Sequence, residues 1–596
     1  MQVIIPAAGM GKRLGEETAN KTKCMVKLGN KTLIEHCLDS VTKHQISRII
    51  IVVGFEKNKL KKFLGEEYNG TKIVYVDNDD FDKTNNIYSV FLAKDYLLED
   101  DTILIESDLV FDPKILEMVL ENKCKDLAVV DKYKAWMDGT VVKVDDDFSI
   151  SHFIPKSNFN YDEVDTYFKT VNIYKFSKSF LEETYLPFLE AYSKALGKNE
   201  YYEQVLKIIV NLDTKQLKAL TLNGQMWYEI DDIQDLDIAD IMFSPPERKF
   251  DLLSNRYGGY WRFDELIDFC YLVNPYFPPK KMIDEIDFSL QKLMQSYPSG
   301  QDVQAMLAGK MFNIPKDFIA VGNGAAELIN ILKNCMNYKF GIYGPTFDEY
   351  TARFQEIDIK ISKNDGFSYA YEDIIELSKQ NDGVILINPD NPTGNFIDND
   401  GIIKILEDFK LSNKILVLDE SFLDFADDGF DSSALKKSIL NKFKNLIVIK
   451  SIGKSFGIGG LRLGVLASSN QELISKIKKD ISIWNINSVS EFYLQIITKY
   501  YGEYIKACDK LKYARQTLMK GLEEIEYIQP YPSQANYIFC KLIGKDSREL
   551  AIKLCNEYSI LIKDCSKKKN IDHNYIRIAV RDIRDNEYLL NCLQNI

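Results

Sequence analysis

Lys454 stands in SIGKSFGIGGLRLG (451–464), among Gly, Ser and Ile, with Arg462 eight residues on. A solvated lysine sits among other polar residues, so this one reads as held in a confined place. A confined amine can form a Schiff base with an aldehyde cofactor. Ser451, three residues before it, and the Arg462 guanidinium can grip a phosphate on that cofactor. Ser-x-x-Lys also arises by chance, and a lysine reaching along the surface to water is the bland alternative. The other parts this chemistry demands are present in order. GNGAAEL (322–328) opens a helix from a Gly-rich turn and offers a phosphate cup around Ala325 and Ala326. PDNPTGN (389–395) offers Asn391, and the strand-like KILVLDE carries Asp419, suited to ion-pair with a pyridinium nitrogen and keep the ring electron-withdrawing. The ordered set points to pyridoxal 5'-phosphate.

A second set lies near the N-terminus. The strand-like VII (3–5) leads into PAAGMGKRLG (6–15). There Ala7, Ala8, Gly9 and Gly11 let backbone N–H groups approach phosphate oxygens, and Lys12 and Arg13 add positive charge. The spacing is neither G-x-x-x-x-G-K-[ST] nor G-x-G-x-x-G, and a Gly-rich turn can serve geometry alone. Lys23, Asp108 at the end of TILIESD and Asp231 after WYEI strengthen the phosphate reading. Two carboxylates at strand ends can hold a divalent ion, Mg2+, against a triphosphate. For Asn85 and Asn86, base or substrate contact competes with helix capping.

These groups need scaffolds. A chain of 596 residues exceeds one core, so two to four domains are expected. Short β-rich runs at 48–53, 72–76 and 102–105 alternate with helix-like segments, which indicates a parallel α/β sheet. At Ser244-Pro245-Pro246-Glu247 the pattern breaks, the prolines argue against a continuing helix, and RYGGYWRFDE follows. The expected domains are 1–246 and 247–596. The second repeats the α/β pattern in GVILIN, KILVLDE and NLIVIKS, and the absence of a long repeat makes the halves separate folds.

Composition limits the function classes. Lysine and arginine total 75 against 88 acidic residues, a net charge of −13, which argues against a dedicated nucleic-acid or anionic-membrane surface. No apolar run approaches the roughly 20 residues of a membrane span. Met1 leads straight into VII rather than a signal peptide, so a cytoplasmic location is expected. Ten cysteines without a C-x-x-C pair fit reduced thiols. His36, His44, His152 and His573 have no close partner at a metal-ligand spacing, which leaves acid–base work to lysine, carboxylate or a cofactor. The run from Ser566 to Lys569 reads as a solvated loop.

By its G-x-G-x-R loop, TNNIYS (84–89), strand-end Asp108 and EIDD (229–232), the first half resembles the sugar-phosphate nucleotidyltransferases, specifically the phosphocholine cytidylyltransferase branch. The resemblance implies a Rossmann-like fold in which Gly9, Gly11 and Arg13 hold the triphosphate of CTP. Lys23 then neutralises charge at the α-phosphate, and Asp108 with Asp231 ligates magnesium. Thr22-Lys23 departs from the family's frequent Pro-Lys. Trp136, Lys156, Tyr167 and Lys169 fall in the region expected to bind the acceptor, with packing the simpler role for the aromatics. The implied reaction is attack of a phosphate or phosphonate oxygen on the α-phosphorus with loss of pyrophosphate, which depends on positioning and charge neutralisation.

The second half resembles the class I/II aminotransferases of the fold-type I PLP family, particularly histidinol-phosphate aminotransferase and threonine-phosphate decarboxylase. RYGG (256–259), NPYFPP (274–279), GPTFDEY (344–350) and YIRIAVRDIRDN (575–586) support the match. The resemblance implies that Lys454 is the Schiff-base lysine and proton shuttle, that Phe347 stacks on the ring, and that Asn391 and Asp419 bind it. It also implies that Arg577 binds the substrate carboxylate and that Tyr297 reaches the cofactor phosphate of a neighbouring subunit in a homodimer. Phe422 departs from the Tyr that many members carry three residues after the ring-binding Asp. Arg581 and Arg584 offer charge for a phosphate or phosphonate tail, or form surface ion pairs.

The fusion is similar to bifunctional phosphonate-tailoring enzymes. It implies transamination of phosphonoacetaldehyde by an amino-acid donor, then transfer of CMP to 2-aminoethylphosphonate. Alternatives are a phospho-amino-acid decarboxylase joined to a phosphoethanolamine or phosphocholine cytidylyltransferase, and a scaffold protein with one dead half. Intact Lys23, Asp108, Asp231 and Lys454 disfavour the scaffold.

Overall fold

The computed structural model describes the chain except residues 213–216, 355–356, 362–366, 569–570 and 572–573, with backbone alone at 358, 359 and 361. Lys569 and His573 lie outside the described residues. Two compact units divide the chain, Met1–Arg262 and Phe263–Ile596.

In the first unit, the strands Thr71–Asp77, Ile49–Val53, Gln2–Ala7 and Thr102–Ile105 lie side by side and parallel, and Phe168–Phe176 adds antiparallel to the last. Register puts Val3 beside Ile49 and Ile103. Side chains alternate across a strand, so Val3, Ile5, Ile49 and Ile51 fill one core while Ile4, Ile50, Val52 and Leu104 fill the other. Both faces are buried, and this is why the strands read as unbroken apolar runs. Ala7 and Ile105 end their strands at the same edge, where the Gly-rich loop and Asp108 follow, the usual ligand edge of a parallel sheet.

The expected boundary at 246/247 falls at the start of a helix, Pro246–Arg256, rather than at a break. Proline at the first helical position costs no hydrogen bond. Arg248 and Arg256 pair with Asp240 and Asp237 of the helix Ile233–Met242, each at 2.5 Å, which ties this segment to the first unit.

The second unit is built on a seven-stranded sheet in the order Ile319–Asn323, Leu463–Ala467, Leu446–Ser451, Ile415–Asp419, Gly383–Ile387, Phe340–Gly344 and Ile357–Ile361. Leu463–Ala467 runs antiparallel to both of its neighbours. Apolar clusters cover both faces. A smaller antiparallel sheet of Ile528–Pro530, Tyr537–Leu542, Tyr575–Ala579 and Lys563–Asp564 carries Arg577. No described helix is long and apolar enough to cross a membrane.

Candidate active sites

In the first unit, Gly11 takes φ 64°, ψ 38°, a backbone conformation that glycine adopts without strain. A Cβ there would lie 3.0 Å from Lys23 Cβ and Cγ, so a side chain at this point would press on Lys23. The Thr22 hydroxyl, buried, lies 3.2 Å from the Ala7 carbonyl and 3.0 Å from that of Gly9, and pins the lysine's segment to the loop. Thr22 thus does with a hydrogen bond what the expected proline would do by stiffness.

Lys23 Nζ donates to Asp108 Oδ2, and to Asp231 Oδ1 at 2.8 Å. Burial alone would lower the amine's pKa, but Asp108 and Asp231 outweigh it and hold the amine protonated, above its usual range. Arg13 reaches Asp231 at 2.9 Å. Burial raises the Asp231 pKa, yet Lys23 and Arg13 bring it below the usual range.

Glu229, which the sequence reading quoted but did not assign, completes the cluster. The strand Trp227–Glu229 pairs antiparallel with Leu109–Phe111 and sets Glu229 opposite Leu109, beside Asp108. Carboxylate oxygens of Asp108, Glu229 and Asp231 lie within 4.8 Å of one another. Asp108 Oδ1 is buried without a hydrogen bond, as an oxygen kept for a cation would be. The set fits a hard divalent ion such as Mg2+. Burial, reinforced by Asp108 and Asp231 and opposed by Lys169, raises the Glu229 pKa.

The other expected contacts divide. Lys169 is buried, 3.3 Å from Glu229 and donating to the Thr170 carbonyl at 2.8 Å, so it belongs to the site. Lys156 is exposed, paired with Asp138 at 2.8 Å. Trp136 stacks on Tyr228 at 4.2 Å, and Tyr167 is buried, which fits packing. Asn85 caps the helix Asn86–Leu92 by accepting the Asn86 N–H, and Asn86 donates to Glu106 at 2.9 Å and accepts from the Tyr202 N–H at 3.0 Å. Capping and bracing, the alternative to base or substrate contact, thus engage both side chains. Lys12 is exposed beside the loop.

In the second unit, Lys454 lies on the short helix Ile452–Ser455 between two central strands. Asn274 locks this turn, its N–H donating to the Lys454 carbonyl and its side chain to that of Ser455, both at 3.0 Å. The Lys454 amine is 3.9 Å from the Phe422 ring centroid and 5.5 Å from that of Phe347. Burial pulls its pKa down to about 7; Asp419 opposes this, while Arg577 and Arg462 reinforce it. Such an amine is substantially neutral near pH 7, as a nucleophile must be.

Asp419, buried, accepts from the Tyr350 hydroxyl at 2.8 Å and from the Ser421 N–H at 2.9 Å. Tyr350 ends the GPTFDEY motif and was not singled out from the sequence. Gly464 pairs with both Ser451 and Gly322, which brings Ser451 beside the start of the helix Gly324–Cys335. A Cβ on Gly464 would lie 2.5 Å from the Ala325 nitrogen, and one on Gly324 would lie 2.5 Å from Arg462 Nη2. Ser451, Ala325, Ala326 and Arg462 thus converge on a cup that only glycine backbone leaves open, and its donors fit a phosphate.

Arg577 Nη1 donates to Asn391 Oδ1 and Nη2 to the Cys270 carbonyl, both at 2.6 Å, while its buried Nε has no hydrogen bond. Arg581 is instead paired with Asp585 at 2.6 Å and donates to the Asp268 carbonyl at 3.0 Å, the ion-pair alternative rather than substrate binding. Lys568, from the run expected to be a solvated loop, donates to the Thr346 carbonyl at 2.8 Å and to Asp348 at 2.9 Å, on either side of Phe347. Tyr297 is 79% exposed and stacked on Trp484 at 4.3 Å.

Known proteins match both units. The family "Aminotransferase class I and II" matches residues 265–593, and "MobA-like NTP transferase domain" matches residues 3–143. The CMP-5'-(3-aminopropyl)phosphonate synthase of Streptomyces rubellomurinus is 28% identical over 604 residues, spanning 100% of this chain and 95% of that protein. The L-serine phosphate decarboxylase of Sulfurospirillum multivorans is 30% identical over 350 residues, 55% of this chain and 88% of that protein. The solved structure of a decarboxylase from Sulfurospirillum multivorans superposes with a TM-score of 0.52 at 26% identity, covering 56% of this chain and 90% of that one. The fold is thus an NTP transferase domain followed by a fold-type I PLP-dependent aminotransferase domain.

Proposed function

The chain belongs to the class I and II aminotransferases, and on that premise we propose a two-reaction enzyme whose C-terminal unit makes a small phosphonate amine and whose N-terminal unit joins it to CMP. The observation that carries this reading is the presence of two candidate reaction centres in one chain: a buried amine whose pKa is pulled down to about 7, close to Asp419, and a lysine bonded to two of three clustered carboxylates. Similarity along the whole chain to a synthase named for a CMP-aminopropylphosphonate supports a phosphonate acceptor. The acceptor proposed is the two-carbon 2-aminoethylphosphonate, formed from phosphonoacetaldehyde and an amino-acid donor.

In the C-terminal unit, Ser451, Arg462 and the backbone at Ala325 and Ala326 would hold the phosphate of pyridoxal phosphate, which when bound would supply an electron sink for charge developing at the substrate carbon. Asp419 would pair with the ring nitrogen, Phe347 and Phe422 exclude water around the Lys454 amine, and that amine takes and returns the proton at the substrate carbon. Arg577 orients the amino-acid donor's carboxylate, its guanidinium held at 2.6 Å by Asn391, which with Asp419 would also bind the ring.

In the N-terminal unit, Asp108, Glu229 and Asp231 would hold magnesium, which would supply charge neutralisation on the triphosphate. Lys23, Arg13 and the Ala8–Gly11 backbone bind phosphate oxygens of CTP. An acceptor oxygen attacks the α-phosphorus, the bond to the bridging oxygen breaks, and pyrophosphate leaves. The acceptor oxygen is already ionised at neutral pH, so the site needs charge stabilisation rather than a general base.

A second reading follows from the likeness of the C-terminal unit to L-serine phosphate decarboxylase: phosphoserine would lose carbon dioxide, and phosphoethanolamine would be the acceptor. Pyrophosphate release from CTP and magnesium, with 2-aminoethylphosphonate, phosphoethanolamine and phosphocholine in parallel, separates the two. Preference for the phosphonate is expected; preference for phosphoethanolamine, with carbon dioxide released from phosphoserine, would replace the first reading with the second.

A further inference from the structure

The side chains expected around the coenzyme ring come from separate segments of the C-terminal unit, and one lysine outside the site ties those segments together. Phe347 precedes the helix Asp348–Arg353, which also carries Tyr350, the donor to Asp419. A helix of six residues cannot hold itself in place, so the aim of both aromatic side chains depends on what anchors its first turn. Lys568 supplies that anchor. Its amine donates to the Thr346 carbonyl at 2.8 Å and to both carboxylate oxygens of Asp348 at 2.9 Å, one residue before Phe347 and one after.

Lys568 is itself held. It closes the turn after the strand Lys563–Asp564, its N–H donating to the Cys565 carbonyl at 2.9 Å. Asp564 accepts from the Ser566 N–H at 2.9 Å and from the hydroxyls of Ser566 and Ser547 at 2.8 Å, which fixes the turn to the helix Ser547–Glu557. The Lys568 side chain is only 11% exposed. An ion pair in open water contributes little, but a nearly buried amine deprived of its acceptors would be left desolvated without compensation.

The bonds continue past Thr346. Its hydroxyl donates to Asp390 Oδ1 at 2.9 Å, and the Thr393 hydroxyl donates to Asp390 Oδ2 at 2.7 Å. Burial raises the pKa of Asp390 to about 6, against Thr393, Thr346 and Lys568, which leaves it ionised at neutral pH to accept both bonds. The next residue, Asn391, accepts from Arg577, whose strand pairs with Lys563–Asp564. A closed circuit thus leaves the small sheet at Lys568, passes Thr346, Asp390 and Asn391, and returns to the same sheet at Arg577. Phe347 adjoins this circuit, and Asp419 is joined to it through Tyr350.

We infer that Lys568 is a positioning residue for the coenzyme: through Thr346, Asp348 and Asp390 it sets Phe347, Tyr350 and Asn391 in place relative to one another before the ring is bound. The inference rests on the binding of pyridoxal phosphate by the C-terminal unit.

The test is the binding of pyridoxal phosphate to the full chain, read as the dissociation constant and as the visible circular dichroism per bound coenzyme. Lys568→Met keeps the stem of the side chain and should weaken binding by about tenfold, the worth of one charge-assisted hydrogen bond, with reduced circular dichroism. Lys568→Arg keeps the charge and should stay within about threefold of the wild type. Asp348→Asn removes the ion pair at an exposed carboxylate, where folding is not at stake, and should weaken binding by about threefold. Asp390→Asn should weaken binding about as much as Lys568→Met. The double variant of those two should lose no more than about twofold beyond the weaker single variant, because either change opens the same circuit. Unchanged affinity and circular dichroism in Lys568→Met and Asp348→Asn, or losses that simply multiply in the double variant, would overturn the positioning role while leaving the coenzyme site intact. A wild-type chain that binds no pyridoxal phosphate would instead remove the coenzyme reading, and this inference with it.

Discussion

The Lys454 amine lies 3.9 Å from the centroid of the Phe422 ring, so a hydrocarbon face rather than a hydroxyl lies against it. No donor at residue 422 can favour deprotonation of the bound coenzyme by hydrogen-bonding its ring oxygen. The wild-type protein should keep its protonated, yellow form through neutral pH. Phe422→Tyr should move the midpoint of an absorbance titration to lower pH by about one unit, the worth of one hydrogen bond. An acidic midpoint in the wild type would contradict this.

The same amine costs the fold stability. Its pKa falls from 10.5 in the unfolded chain to about 7 when buried, so between these values the unfolded state binds more protons and stability rises with pH. Below about pH 7 the penalty is complete. Lys454→Met should therefore stabilise the coenzyme-free protein at pH 7 by roughly 2 kcal/mol, and the gain should fade as pH approaches 10.5. Urea unfolding of the C-terminal unit at pH 7 and at pH 9.5 checks it; equal gains at both would show that the amine titrates normally.

Lys23 keeps the three carboxylates together. Lys23→Met leaves Asp108, Glu229 and Asp231 within 4.8 Å of one another without their buried counter-charge. Pyrophosphate release should fall by about 1,000-fold, and magnesium should raise Tm more in the variant than in the wild type. A thermal shift series in magnesium would show the reverse order if the ion binds elsewhere.

We propose that Tyr297 serves a second copy of the chain. It is exposed and stacks on Trp484, and Phe288, 93% exposed on the helix Lys280–Met294, offers further apolar surface in the same unit. Tyr297→Phe should leave a dimer and speed coenzyme release by about tenfold through loss of one hydrogen bond to phosphate. Phe288→Glu with Trp484→Arg should give monomers by light scattering. A monomeric wild type would refute the assignment.

The sequence was most legible where a site is local. Ser451, Lys454 and Arg462 lie within twelve residues of chain, and the cup they form follows from one strand, one turn and the next strand. Glu229 escaped notice because a three-residue strand must pair with Leu109–Phe111 before the carboxylate faces Asp108. Asn86 reads as a ligand until Glu106, twenty residues away, takes its amide. Lys568 reads as solvated because nothing nearby in sequence announces Asp348, 220 residues back. Pro246 misled for a different reason, since the same residue that cannot continue a helix starts one readily.

One measurement bears most directly on the two-reaction account: phosphorus NMR of the full chain incubated with phosphonoacetaldehyde, an amino-acid donor, CTP, magnesium and pyridoxal phosphate. The account predicts a new phosphonate signal coupled to a CMP phosphorus, together with pyrophosphate, and loss of both when the donor is omitted. If the phosphonate stays unchanged while phosphoserine and CTP yield carbon dioxide and a CMP-linked phosphate ester, the account is wrong about the substrate of both units.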